Sequence, residues 1–271
     1  MSPIDDSYRD RVGMSAPVRS RRREVSPIKL LFVAANCERA GSLASDREAK
    51  AIQDTLRSAR FGGQFELLQE WAVAASEMRG CLLRHNPTIV HFSAHGTEAG
   101  ELLLEDHGGE DHRSPMDASR LAQLFHVLQG DVRLVVLNAC FTETHARALG
   151  RHVDCVVGIS REIRDGQARV FSRAFYEALA YGKDVQTAFD LARTEMGPSE
   201  ANATPVMSSK VDTSRVVFVH TSPNSDDAAL VARGPVARPE ISGQLFFCSM
   251  AGFVLQMIVA LIVSLNAMWT C

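Results

Sequence analysis

Four runs of apolar residues recur along this chain, at 28–36, 88–93, 132–138 and 153–159, each of strand length and each too continuous to leave one face wet. A strand with one solvated face alternates apolar and polar residues, whereas a strand covered on both faces does not. Runs such as Leu30-Leu31-Phe32-Val33 and Leu134-Val135-Val136-Leu137 therefore belong in the middle of a parallel sheet, and parallel neighbours require long crossovers. The segments between supply them. Residues 48–61 place Ala49, Ile52, Leu56 and Ala59 at helical spacing, with Gly62-Gly63 as a stop. Further helices are predicted at 75–84, ahead of Pro87, at 116–129 with Ser114 or Asp117 as a cap, and at 167–180 and 185–196, divided by Gly182. Shorter strands are predicted at 64–68, 101–106 and 216–220. This order implies one α/β domain over residues 28–220, a mostly parallel sheet with helices on both faces and right-handed crossovers.

The flanks differ in kind. Residues 1–27 show no apolar periodicity and end in the basic cluster Arg19, Arg21, Arg22 and Arg23, so they read as a disordered arm. The cluster serves either solubility or attraction to anionic lipid or a partner. Residues 221–243, rich in Ser, Pro, Asp and Arg, read as a linker. No charged residue occurs from 241 to 271, and the apolar stretch 245–269 exceeds the roughly 20 residues that cross a bilayer core. With Arg233 and Arg238 ahead of it and Trp269 at its end, residues 244–271 are expected to form a transmembrane helix, a single-pass tail anchor that leaves the folded domain cytoplasmic. The alternative is an apolar core helix, or an oligomerisation helix shielded by a partner. Gln256 and Asn266 could bond between copies, which would make a homo-oligomer.

Composition narrows the chemistry. A formal net charge of −3 gives no electrostatic footprint for direct nucleic-acid binding. The six cysteines are scattered, with no CxxC or Cys/His metal spacing, which fits a reducing compartment, implies no metal, and makes each a small buried hydrophobe by default. There is no Gly-rich phosphate loop or GxSxG elbow, and no organic cofactor is implied.

Two of the buried strands run out into reactive residues. One continues His91-Phe92-Ser93-Ala94-His95-Gly96 and the other Leu137-Asn138-Ala139-Cys140-Phe141. Ligand chemistry in an open α/β sheet gathers beyond the carboxyl ends of the strands, so if these two are neighbours His95 and Cys140 meet at the rim. A thiolate is a nucleophile, and a nearby imidazole raises its population or donates a proton to a leaving amine. Gly96, lacking a side chain, lets its N–H approach a substrate carbonyl, and with the N–H of Cys140 would form an oxyanion hole.

These residues resemble the caspase, separase and gingipain grouping of clan CD cysteine peptidases, and most closely the CHAT family. The likeness runs from His91-Phe92-Ser93-Ala94-His95-Gly96 through the strand at 101–106, Val135-Val136-Leu137-Asn138-Ala139-Cys140, Val156-Val157-Gly158 and Asp165. It ends in the helix around Phe171, Phe175, Tyr176 and Leu179 and in Gly182, Val185 and Ala188. It departs from the family at Ala94, where many relatives carry Gly, and at Phe141-Thr142-Glu143. The resemblance implies a caspase-like fold, His95 and Cys140 as catalytic dyad, a protein substrate, and an upstream activator or sensor in a bacterial stress, defence or cell-death circuit. It also suggests Asp165, Glu105 and Asp106 for the specificity pocket; the plainer roles are a helix cap for Asp165 and solvated turns for the other two.

His91, inside its strand, is expected to be a core or supporting group, and His145 and His152 carry no assigned chemistry. Cys155 and Cys37 are expected to be structural. Two further readings of the chain remain: an inactive interaction module of the same fold at the membrane, and a small-molecule hydrolase or acyltransferase using the same dyad.

Overall fold

The computed structural model describes residues 26–35, 39–106, 113–128, 130–196 and 204–220. The six-stranded sheet has the order β2-β1-β3-β7-β8-β9, formed by β1 (Ile28–Ala34), β2 (Phe65–Trp71), β3 (Ile89–Ser93), β7 (Leu134–Asn138), β8 (Cys155–Ile159) and β9 (Pro205–Ser209). All its pairings are parallel except that of β8 with β9. The fully apolar runs take the positions foreseen for them: β1, β3, β7 and β8 are interior strands and the mixed-polarity β2 is an edge.

Successive residues of a strand point to opposite faces, and the core divides accordingly. Leu30, Phe32 and Ala34 join one apolar cluster with α1 (Arg39–Ser58), α5 (Asp165–Ala180) and α6 (Val185–Glu195). Leu31, Val33 and Ala35 join the other, with α2 (Met78–His85), α3 (Ala118–Leu128) and α4 (Glu143–Leu149). Helices thus cover both faces. A second sheet of three antiparallel strands, β4 (His95–Gly96), β5 (Leu102–Glu105) and β6 (Arg113–Met116), follows directly from β3.

Three local expectations are corrected. The last strand is Pro205–Ser209 rather than 216–220. Proline at the start of an edge strand costs no ladder bond. Val216, Phe218 and Val219 are buried without pairing, held by a 3-10 turn at Thr213–Arg215 and by Gln64, whose side chain bonds both the N–H and the C=O of His220. Their apolar pattern reports burial, not a ladder. Helix α1 begins at Arg39, ahead of the foreseen start at Glu48, so Glu48 lies mid-helix. Arg113–Met116 pairs with β5 before α3 begins. Among the described residues no helix is long and apolar enough to cross a membrane, and the stretch 244–271 lies outside them, as do residues 1–25 of the arm and the linker 221–243.

Candidate active site

Strands β3 and β7 are parallel neighbours in register, with Ser93 opposite Asn138. Two residues beyond those partners stand His95 and Cys140. Both line one cleft of about 230 Å³, walled also by Glu48, Ser93, Asn138, by Glu162 and Ile163 from the loop before α5, and by Asp165 at the start of α5. That volume is below the several hundred Å³ of a drug-sized pocket and suits a single side chain.

Each member of the pair is held by backbone structure. His95 pairs with Leu103 in the second sheet, and its side chain is exposed. Gly96 packs on the Cys140 backbone so closely that a Cβ there would stand 1.8 Å from the Cys140 carbonyl oxygen and 3.3 Å from its nitrogen. The glycine is therefore required by close approach of two chain segments, a reason in addition to access for a substrate carbonyl. Beyond Cys140 the chain turns sharply: Phe141 takes the left-handed conformation (φ 56°), a strained state for a bulky side chain. Thr142, fully buried, then anchors the turn. Its N–H donates to Ile159 O (2.8 Å), its Oγ1 accepts from Ile159 N–H (3.0 Å), and that hydroxyl lies 2.9 Å from Ala139 O. The departure from the family pattern at Phe141-Thr142-Glu143 thus forms the turn that presents Cys140 at the rim.

Cys140 is half-buried, and its Sγ accepts from Ile163 N–H at 3.4 Å. Burial pushes this thiol above its ordinary range, and the charges of Glu162 and Asp165 push it further against the pull of the Ile163 N–H. At rest the group is a thiol. Nucleophilic use requires a base, and His95 is the imidazole on the same cleft.

Of the three acidic residues singled out for the specificity pocket, Asp165 lines the cleft, in the first turn of α5. Glu105 and Asp106 are not in that lining. Glu105 is buried in the second sheet opposite Arg113, with its N–H on Val73 O. His91 is fully buried and bonded within the core, as foreseen. Cys155 is a buried strand residue whose thiol burial pushes up to about 12, and Cys37 lies outside the described residues.

Sequence reasoning missed Glu48, Glu162 and the polar floor made by Ser93 and Asn138. A signal for Glu48 existed: Ser45, Glu48, Ile52, Thr55 and Leu56 share one buried helical stripe, and a carboxylate on such a stripe requires partners. Starting the helix at Glu48 concealed it.

The family model of the CHAT domain matches residues 6–207. The chain belongs to the CHAT domain family. Among curated relatives, a "probable protease" of Gillisia limnaea is 26% identical over 161 residues, covering 58% of this chain and 28% of that protein. A "Roc-COR-CHAT protease" of an unknown prokaryotic organism is 23% identical over 189 residues, covering 66% of this chain and 18% of that protein. The chain thus spans about a quarter or less of the lengths of these CHAT and protease relatives. Among solved structures, a secreted C11 cysteine protease from Bacteroides thetaiotaomicron matches with a TM-score of 0.45 at 11% identity, covering 62% of this chain and 58% of its own. Caspase-1 from Spodoptera frugiperda matches with a TM-score of 0.46 at 15% identity, covering 68% and 86%.

Proposed function

We propose that this chain is a caspase-like cysteine endopeptidase in which Cys140 attacks a peptide carbonyl and His95 serves as acid and base. The observation that carries this reading is the shared cleft of His95 and Cys140 beyond two adjacent parallel strands. In the first step the Cys140 Sγ forms a bond to the carbonyl carbon while His95 takes the thiol proton. That proton then passes to the departing amine as the C–N bond breaks, leaving a thioester; water, deprotonated by His95, attacks the thioester carbon, the C–S bond breaks, and the Cys140 thiolate takes the proton back from His95. The N–H groups of Gly96 and Cys140 are the donors assigned to the developing oxyanion. The close packing of Gly96 on Cys140 supports that assignment by bringing the two backbones together.

The substrate is a protein. The acidic lining, Glu162 and Asp165, favours a substrate segment without negative charge at this cleft. The resting thiol, raised by burial and by those carboxylates, supports a regulated enzyme that an upstream activator or sensor switches on, in a bacterial stress, defence or cell-death pathway. The uncharged stretch 245–269 supports a membrane tether. Cleavage of a peptide library by the full chain, with His95→Ala and Cys140→Ala as controls, tests the reading. Cleavage that survives either substitution contradicts it.

A further inference from the structure

One carboxylate beneath the cleft joins the two strand ends that carry the dyad. Glu48, 5% exposed, reaches from α1 to the gap between β3 and β7. Its Oε2 accepts from Ser93 Oγ at 2.8 Å. Its Oε1 accepts from the Asn138 side-chain amide and from Ser172 Oγ at 2.7 Å, and lies 3.1 Å from His91 Nε2. On the far side of the His91 ring, Nδ1 lies 3.1 Å from the Tyr176 hydroxyl. The donors come from β3, β7 and α5.

Proton bookkeeping orders the network. A carboxylate only accepts, so Asn138 must present its NH₂ to Glu48, His91 must carry its proton on Nε2, and Ser93 spends its single hydrogen on Oε2. In the 2.8 Å contact between Ser45 and Ser93, Ser45 is then the donor. Burial raises the Glu48 carboxyl, but the charge and hydrogen bond of His91, with the bonds of Ser172 and Ser93, hold it below its ordinary range. It is ionised, and an ionised buried group binds its donors more strongly than a neutral one.

Ser93 and Asn138 are direct register partners, and each stands two residues before a member of the dyad. We propose that Glu48 is the positioning residue of this site: a single carboxylate that clips the β3 and β7 ends together and so fixes the spacing of His95 and Cys140. The inference rests on the peptidase reading. Glu48 touches no reacting atom in this account and acts through the strand ends alone.

The test is inactivation of the full chain by a peptidyl acyloxymethyl ketone, which separates binding (KI) from reaction at the thiol (kinact). In E48Q, which keeps the shape and loses the charge, kinact falls about tenfold to a hundredfold, as expected for a dyad displaced by a fraction of an ångström to 1 Å, while KI stays near wild type. Ser93→Ala removes the Ser93 bond to Glu48, with the Ser45 contact, leaves the other three bonds of the carboxylate, and gives the same split in smaller measure, which decides the matter should E48Q fail to fold. Tyr176→Phe removes a bond of the same network that does not reach Ser93 or Asn138. It lowers the unfolding midpoint and leaves kinact unchanged. If E48Q and Ser93→Ala both react at the wild-type rate, or if kinact in Tyr176→Phe falls in step with stability, Glu48 is structural only. A wild-type protein that the probe never modifies at Cys140 overturns the peptidase reading, and this inference with it.

Discussion

Replacing Gly96 by alanine probes the junction between the two halves of the site with one added methyl group. In the folded chain the new Cβ would lie 1.8 Å from the Cys140 carbonyl oxygen and 2.8 Å from its carbonyl carbon, against a floor of 3.0 Å that Cβ contacts essentially never cross. The oxygen contact is short by 3.0 − 1.8 = 1.2 Å, and both atoms on the Cys140 side are backbone, so no rotamer relieves it. Either β4 leaves its pairing with Leu102 and Leu103, or the turn at Cys140–Thr142 moves against the three hydrogen bonds that anchor Thr142. Overpacking of this kind costs about 1–3 kcal/mol. A displacement of about 1 Å between reacting groups costs about a hundredfold in rate. Denaturant unfolding should show the stability loss, and acyloxymethyl ketone labelling of Cys140 should show the rate loss, with the rate more affected than the fold. A Gly96→Ala protein that unfolds at the wild-type denaturant concentration and labels at the wild-type rate would refute the close-packing argument.

The double substitution Glu162→Gln with Asp165→Asn removes the two charges that raise the Cys140 thiol. Both side chains are exposed, so alkylation by iodoacetamide at fixed neutral pH should quicken only about twofold to fivefold, with the pH–rate curve moved to lower pH; a curve moved to higher pH contradicts the account. Asp184 caps α6, accepting from Thr187 N–H at 2.8 Å, so Asp184→Ala should cost about 1 kcal/mol in a denaturant melt without altering Cys140 labelling. The Glu48 carboxyl is held below its ordinary value by His91, Ser172 and Ser93, so the folded state binds its proton less readily than the unfolded state does. Its contribution is present above that value and is lost as pH falls through the folded value. Unfolding free energies measured from pH 7 down to 3 should therefore drop less steeply in Glu48→Gln than in wild type.

Much of the fold was legible because its signals are local. Interior strands such as Leu134–Asn138 are apolar throughout since both faces are covered, and their ends carry the reactive residues because a sheet rim is where loops converge. The pairing of His95 with Cys140 followed from that rule, and the register of β3 with β7 supplies the adjacency it required. The illegible parts depend on distant partners. Residues 216–220 look like a strand because three of them face the core, but the distant groups that bond their backbone lie outside any ladder: the Val185 N–H at Val216 O and the Gln64 side chain at His220. Glu105 and Asp106 look like loop acids; the first is turned into the second sheet by its pairing with Arg113, which the sequence alone does not reveal. Glu48 was hidden because its four donors come from three other segments, none recognisable until the sheet is assembled.

The most direct measurement of the central claim is the site of covalent modification by a peptidyl acyloxymethyl ketone, read by peptide mass mapping in wild type, Cys140→Ala and His95→Ala. The account predicts one adduct per chain, on Cys140, absent in Cys140→Ala and slowed by about a hundredfold or more in His95→Ala, with all three proteins folded. Equal modification of Cys140→Ala, or an adduct carried by Cys81 or Cys155, would contradict it.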